Sequence, residues 1–197
     1  MCMRVSSLVI VCAWACLVFP VAAGSAIDQQ SWLDRPLANW NSSDAALPKP
    51  PASRESRADI LKRCQWTLRS STPAERALAA AGWIPMLHLD RQLVQGDLEI
   101  VDGASGANSE CQPAAFNLFV FAAGRFIGTL SPDLMTSRRD GSPGAVRLGN
   151  DTISAEFLRF RDRDPDCCPS SHMAVRFQID RTHPAPSIAP VDVRVTR

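Results

Sequence analysis

The sequence predicts an α+β fold in which two N-terminal helices pack on an antiparallel β meander stapled by disulfides. Three observations carry this. Apolar residues recur with a helical period only before Gly82. After Pro85 they fall into alternation and short runs broken by tight turns. Cysteines at 64, 111, 167 and 168 are spread over both regions. At 197 residues, 46% hydrophobic and 21% charged, the chain has the length and composition of one globular domain. Its 21 Lys+Arg against 20 Asp+Glu leave no basic surplus of the kind nucleic acid selects, so nucleic acid is not expected as a partner.

Residues 1–26 read as a cleavable signal peptide. Arg4 is its basic start, Leu8 to Val18 its apolar core, and the small residues around Ala23 and Ala26 its cleavage region. From Leu8 to Ala23, Pro20 included, the apolar stretch is shorter than the roughly 20 residues that span hydrocarbon, so no transmembrane segment is expected after cleavage. Cys16 follows Ala13-Trp14-Ala15, where Trp14 is bulky for a lipid-attachment signal, and lipid anchoring is not expected. Removing the leader takes away Arg4, Cys2, Cys12 and Cys16 and leaves 20 cations, 20 anions and four cysteines. In an exported chain those four read as two disulfides with three possible pairings.

Residues 27–52 are rich in Pro, Asn and Ser but carry Trp32, Leu33, Leu37 and Trp40. Such large apolar groups predict an extended strap lying across the domain formed by 53–197. Ser53 to Leu68 reads as the first helix, with Ile60, Leu61, Cys64 and Leu68 on one stripe. The second helix has Thr72 as cap, Pro73 at its first position, Glu75 completing a capping box, and Gly82 as stop. Strands are predicted over Met86–Leu89, Asp97–Asp102, Ala115–Ala122, Arg125–Leu130, Ala145–Leu148, Thr152–Phe160, Met173–Asp180 and Val191–Val195. Ala123-Gly124 and Gly149-Asn150-Asp151 read as tight turns. In Met173–Asp180, Val175, Phe177 and Ile179 alternate with polar neighbours, which marks a half-buried strand.

Cys167-Cys168-Pro169 is the most unusual local feature. One arrangement ties each cysteine of the pair to a different partner, Cys64 or Cys111, and clamps loop and helix to the sheet. The other closes a bond between the adjacent cysteines and leaves Cys64 with Cys111. That bond would be strained, and could serve as a redox or soft-metal site. The structural role is the expected one. Cys167, Cys168 and His172 fall short of a zinc signature, and no metal or other cofactor is expected. Ser170-Ser171-His172 does not make a triad, because triad members are neighbours in space, and no Gly-x-Ser-x-Gly elbow is present. Asp162, Asp164 and Asp166 resemble a calcium loop, yet Cys167 stands where its glycine belongs and Met173 where its glutamate belongs. Asp102-Gly103-Ala104-Ser105-Gly106 lacks a phosphate-binding pattern and reads as a flexible loop. Arg125, Arg138, Arg139, Arg147, Arg159 and Arg161 are interleaved with acids, so a solvated face is expected of them.

Phe119-Val120-Phe121, Gly124 to Pro132, Asp140-Gly141 and Asp164 to Ser170 resemble exported bacterial proteins of the LppP/LprE lipoprotein family. Trp32-Leu33, Asn39-Trp40-Asn41 and Ala79 to Trp83 are similar to the N-terminal part of some members. The resemblance implies a periplasmic or secreted, envelope-associated protein and carries over no catalytic residue. The expected function is a non-enzymatic binding or structural module whose partner is an envelope protein or ligand. The alternative is a thiol–disulfide or soft-metal protein acting through Cys167 and Cys168. A hydrolase built on His172 or His88 is a third, weaker expectation.

Overall fold

The computed structural model describes residues 31–136, 141–161, 163–165 and 167–196. Residues 1–26, expected above to be a signal peptide, and Arg138, Arg139, Asp162 and Asp166 lie outside the described residues. A 3-10 turn (Trp32–Asp34) is followed by helices α1 (Arg57–Cys64) and α2 (Pro73–Ala80). Among the described residues nine strands follow: β1 (Ile84–Met86), β2 (Leu93–Gln95), β3 (Leu98–Ala107), β4 (Pro113–Ala122), β5 (Arg125–Thr129), β6 (Pro143–Leu148), β7 (Thr152–Arg159), β8 (Ser171–Asp180) and β9 (Ser187–Thr196).

The fold is mixed α+β, but the single meander expected from the sequence is corrected to two antiparallel sheets. One has the order β1-β3-β4-β5 with β2 also on β3; the other is β6-β7-β8-β9. Strands β7 and β8 alternate along their length while β3 and β4 are buried at consecutive positions, and either pattern reports burial and not which sheet a strand joins. The sheets share one core. Leu98, Ile100, Leu118, Val120 and Ile127 from the first cluster with Val146, Ile153, Phe157, Val175, Phe177 and Ile188 from the second. The other face of the first sheet presents Val101, Phe119 and Phe121, which cluster with Leu78 of α2 and with Trp83.

Helix α2 forms as its sequence dictates. Thr72 Oγ1 accepts from the Glu75 amide, and the Glu75 carboxylate accepts from the Thr72 amide, so the capping box is complete. Helix α1 stops at Cys64, four residues before the predicted end at Leu68. Gln65 takes a left-handed conformation (φ 54°), and residues 65–71 leave the helix axis. The predicted flexible loop at Asp102–Gly106 is also corrected, because β3 runs straight through it. Gly103 is there for packing: a Cβ on it would lie 2.8 Å from both Leu78 Cδ2 and Phe119 Cε2. Ala123 and Gly124, both at positive φ (48° and 75°), make the tight turn between β4 and β5. In β8 the buried residues are Val175, Phe177 and Ile179, as the alternation predicts.

Residues 31–52 have no helix or strand beyond the first turn. Trp32 and Leu33 are buried in the inter-sheet core, with Leu37 and Trp40 packed against it. Trp32 meets Trp40 and Phe157 edge-on at centroid distances of 5.1 and 5.2 Å. Farther along, the Trp83 indole donates to the Pro48 carbonyl at 2.7 Å, and Leu47 packs beside the α2 cluster.

Candidate functional site

The cysteines come together in the second of the two arrangements, Cys64 with Cys111 and Cys167 with Cys168. The reading in which the adjacent pair reaches out to Cys64 and Cys111 is therefore corrected. Cys64 closes α1 and Cys111 sits in the turn between β3 and β4, 47 positions further along the chain. Arg63 reinforces the same joint: it donates to the Asn108 carbonyl at 3.1 Å and pairs with Glu55. A ring of that length corresponds to about 4 kcal/mol of lost unfolded-state entropy. The Cys167–Cys168 bond closes almost no chain, so its entropic contribution is at the bottom of the range.

Beyond α1 the chain forms one wall of a groove of about 760 Å³. Its lining includes Trp66, Leu68, Ser70 and Ser71, Ile84 and Met86 of β1, and Cys111 and Pro113. Helical reading of 53–68 hid this groove, since the wall exists only where the helix has ended. Strand β1 has β3 as its sheet partner, and Pro85 in its centre has no N–H to offer an added strand. Bonded to Ser71 of that lining, Glu75 is 2% exposed yet remains a carboxylate. Burial would raise its pKa, but hydrogen bonds from Ser71, Arg69 and Thr72 outweigh burial and hold it below the usual range.

His88 and Asp102 form a buried pair inside the fold. His88 Nδ1 lies 3.1 Å from Asp102 Oδ2, and Nε2 lies 2.9 Å from the Gly144 carbonyl on β6. That carbonyl can only accept, so Nε2 carries a proton, and one further proton lies between Nδ1 and Oδ2. The pair is thereby neutral overall. Burial by itself lowers the His88 pKa, but Asp102 and the Gly144 carbonyl overcome this and the value is raised. Burial raises Asp102 against the pull of His88. With both ring nitrogens engaged, His88 has no nitrogen left to serve as a general base. His172 lies elsewhere, on β8, with Nδ1 3.1 Å from Glu156 Oε1, which also accepts from the Thr196 hydroxyl at 3.1 Å.

The Cys167–Cys168 loop is organised by Asp164. Its Oδ2 accepts from the amides of Arg161 and Ser170, both at 2.8 Å. Those two backbone bonds hold the Asp164 carboxyl below its usual range. The Cys168 amide donates to the Pro165 carbonyl at 3.0 Å, and both cysteines are exposed. Several of the arginines are paired with acids: Arg125 with Asp44, Arg159 with Asp34, and Arg181 with Asp97 and Asp151. Among the described residues no group of three or more His, Cys, Asp or Glu side chains could hold a metal ion.

A two-sheet α+β protein with a strap in its core and an exposed cystine loop is the class these observations define. Residues 96–182 match the family model described as LppP/LprE lipoprotein, and the match supports membership of the chain in this family. The matched stretch runs from before β3 into the segment after β8, so it contains most of both sheets, Asp102, Cys111 and the Cys167–Cys168 loop. No curated protein and no solved structure gives a match. The family suggests an envelope protein, and no described helix is long and apolar enough to cross a membrane. Its lipoprotein character cuts against the expectation that lipid anchoring is absent.

Proposed function

We propose that this chain is an exported envelope protein that works as a non-enzymatic binding module, with 53–197 as its α+β domain and 27–52 as a strap. The observation that carries the reading is the groove between residues 65–71 and β1. Its volume of about 760 Å³ falls within the range typical of ligand sites. Trp66, Leu68, Ile84 and Met86 supply apolar surface, and Ser70, Ser71 and Asp90 supply polar groups that would orient a ligand. Pro85 disfavours capture by strand addition, so recognition would run through side chains. The ligand is another envelope component.

Membrane association would come from the N-terminal segment, where Cys16 is the acceptor to test. Metabolic labelling with a fatty-acid analogue, compared between the natural chain and Cys16→Ser, decides whether the protein is anchored or released. For the groove, a photo-crosslinking residue at Leu68 should capture a defined adduct in the native host. The same probe at Val191, on strand β9 of the other sheet, should not. Identical adducts at both positions, or none at Leu68, would overturn the binding reading.

A further inference from the structure

The two disulfides are unequal in what they do for the fold. Cys64–Cys111 joins a helix end to a hairpin turn across 47 residues. Cys167–Cys168 joins residues that a peptide bond already joins, in a loop that is closed without it. Asp164 ties the two ends of that loop through the amides of Arg161 and Ser170, and the Pro165–Cys168 hydrogen bond closes the turn. The loop is thus held by hydrogen bonds that do not involve either sulfur. Both cysteines are exposed, so a thiolate in solvent can reach them. Exposed cystines belong to the labile, more oxidising class, whereas structural ones resist reduction.

We propose that Cys167–Cys168 is a thiol–disulfide exchange site that accepts two electrons from a dithiol. A thiolate of the dithiol attacks Sγ of one cysteine; the Cys167–Cys168 bond breaks, and the other sulfur leaves as a thiolate and takes up a proton. The second thiol of the donor, after losing its proton, attacks the donor sulfur of the mixed disulfide and releases the first cysteine. The donor ends as a disulfide and the protein as two thiols, so two electrons and two protons have moved. Before reduction the loop presents a cystine; afterwards it presents two neighbouring thiols on a turn still held by Asp164. This site is independent of the groove, and neither reading depends on the other.

The test is a redox titration of the full chain in graded mixtures of reduced and oxidised dithiothreitol. Acid quenching, alkylation and peptide mapping then assign each thiol. Cys167 and Cys168 should be half-reduced at a reduced-to-oxidised ratio at least about tenfold below that needed for Cys64–Cys111, with the circular dichroism of the fold unchanged. In addition, Cys167→Ser incubated with oxidised glutathione should form a mixed disulfide at Cys168 while melting with the Cys167→Ser/Cys168→Ser double variant. Equal resistance of the two bonds, free thiols at 167 and 168 in the oxidised protein, or no mixed disulfide at Cys168 would each overturn the proposal.

Discussion

The side-chain amide of Asn41 pairs with the backbone of Thr129 in both directions: Nδ2 donates to the Thr129 carbonyl at 3.0 Å, and the Thr129 amide donates to Oδ1 at 2.9 Å. A single side chain thus does at the end of β5 what another strand's peptide group would do. Trp40 adds a second donor to the same carbonyl at 3.1 Å. Gly128 makes room for this contact, since a Cβ there would sit 2.5 Å from Asn41 and 2.6 Å from Ile188.

Asn41→Ala should therefore leave the Thr129 amide unpaired while its carbonyl keeps Trp40. A loss of about 1–3 kcal/mol is expected in urea unfolding, the usual cost of orphaning a partly buried donor. Asn41→Ser, a shorter side chain, should recover little of it. Stability unchanged in Asn41→Ala would show that the strap does not hold β5.

Gly103→Ala places a methyl group against Leu78 and Phe119. Overpacking there is expected to cost about 1–3 kcal/mol. The double variant Gly103→Ala/Leu78→Ala should lose less than the sum of the single losses, because removing Leu78 relieves one of the two clashes. Additive losses in a denaturation cycle would place α2 away from this face of the first sheet.

The pH dependence of stability follows from the His88–Asp102 pair. Both values are raised on folding, so the folded protein holds the pair's proton more firmly than the unfolded chain does. For His88 the stabilisation is complete below the unfolded imidazole value, about 6.5, and is lost as pH rises through the folded value. In Asp102→Asn the amide would donate to Nδ1 of a neutral imidazole, and protonation would then put an unpaired cation in the interior. The contribution of the variant should instead be lost as pH falls. Urea midpoints at about pH 5 and about pH 8 should shift in opposite directions between the two proteins relative to a common reference such as His88→Ala/Asp102→Ala.

Removing the disulfides separately should give unequal costs. Cys64→Ser/Cys111→Ser is expected to lose about 2–4 kcal/mol, since a long loop is freed in the unfolded chain. Cys167→Ser/Cys168→Ser should unfold at nearly the natural denaturant midpoint, because Asp164 still closes the loop. An equal loss in both variants would mean that the adjacent cysteines carry structure.

Local features were legible in the sequence wherever the physics is local. Thr72, Pro73 and Glu75 specify the start of α2 through the reciprocal capping bonds of Thr72 and Glu75 and the fixed φ of Pro73, and Ala123-Gly124 specifies its turn through two left-handed residues. The alternation in β8 identifies its buried face without reference to any partner. The stripe through Ile60 and Cys64 predicts a helix, and it extends to Leu68 because Leu68 stands four residues after Cys64, the spacing of a helix face, although the helix has ended. The segment after Asp102 reads as a loop because glycines at 103 and 106 look like flexibility, whereas Gly103 answers to side chains from α2 and β4.

What the sequence determined by itself, then, is the kind of most local elements, the cysteines able to pair and the residues of the LppP/LprE resemblance. Periodicity, capping and turn chemistry depend on neighbours within a few residues, so they can be read one window at a time. Tertiary structure alone decided that the strands divide into two sheets, that Cys64 meets Cys111, that His88 lies between Asp102 and Gly144, and that a groove opens beside β1. Each of these joins residues far apart in the chain, and such a match depends on how both elements are packed in space, which neither local pattern contains.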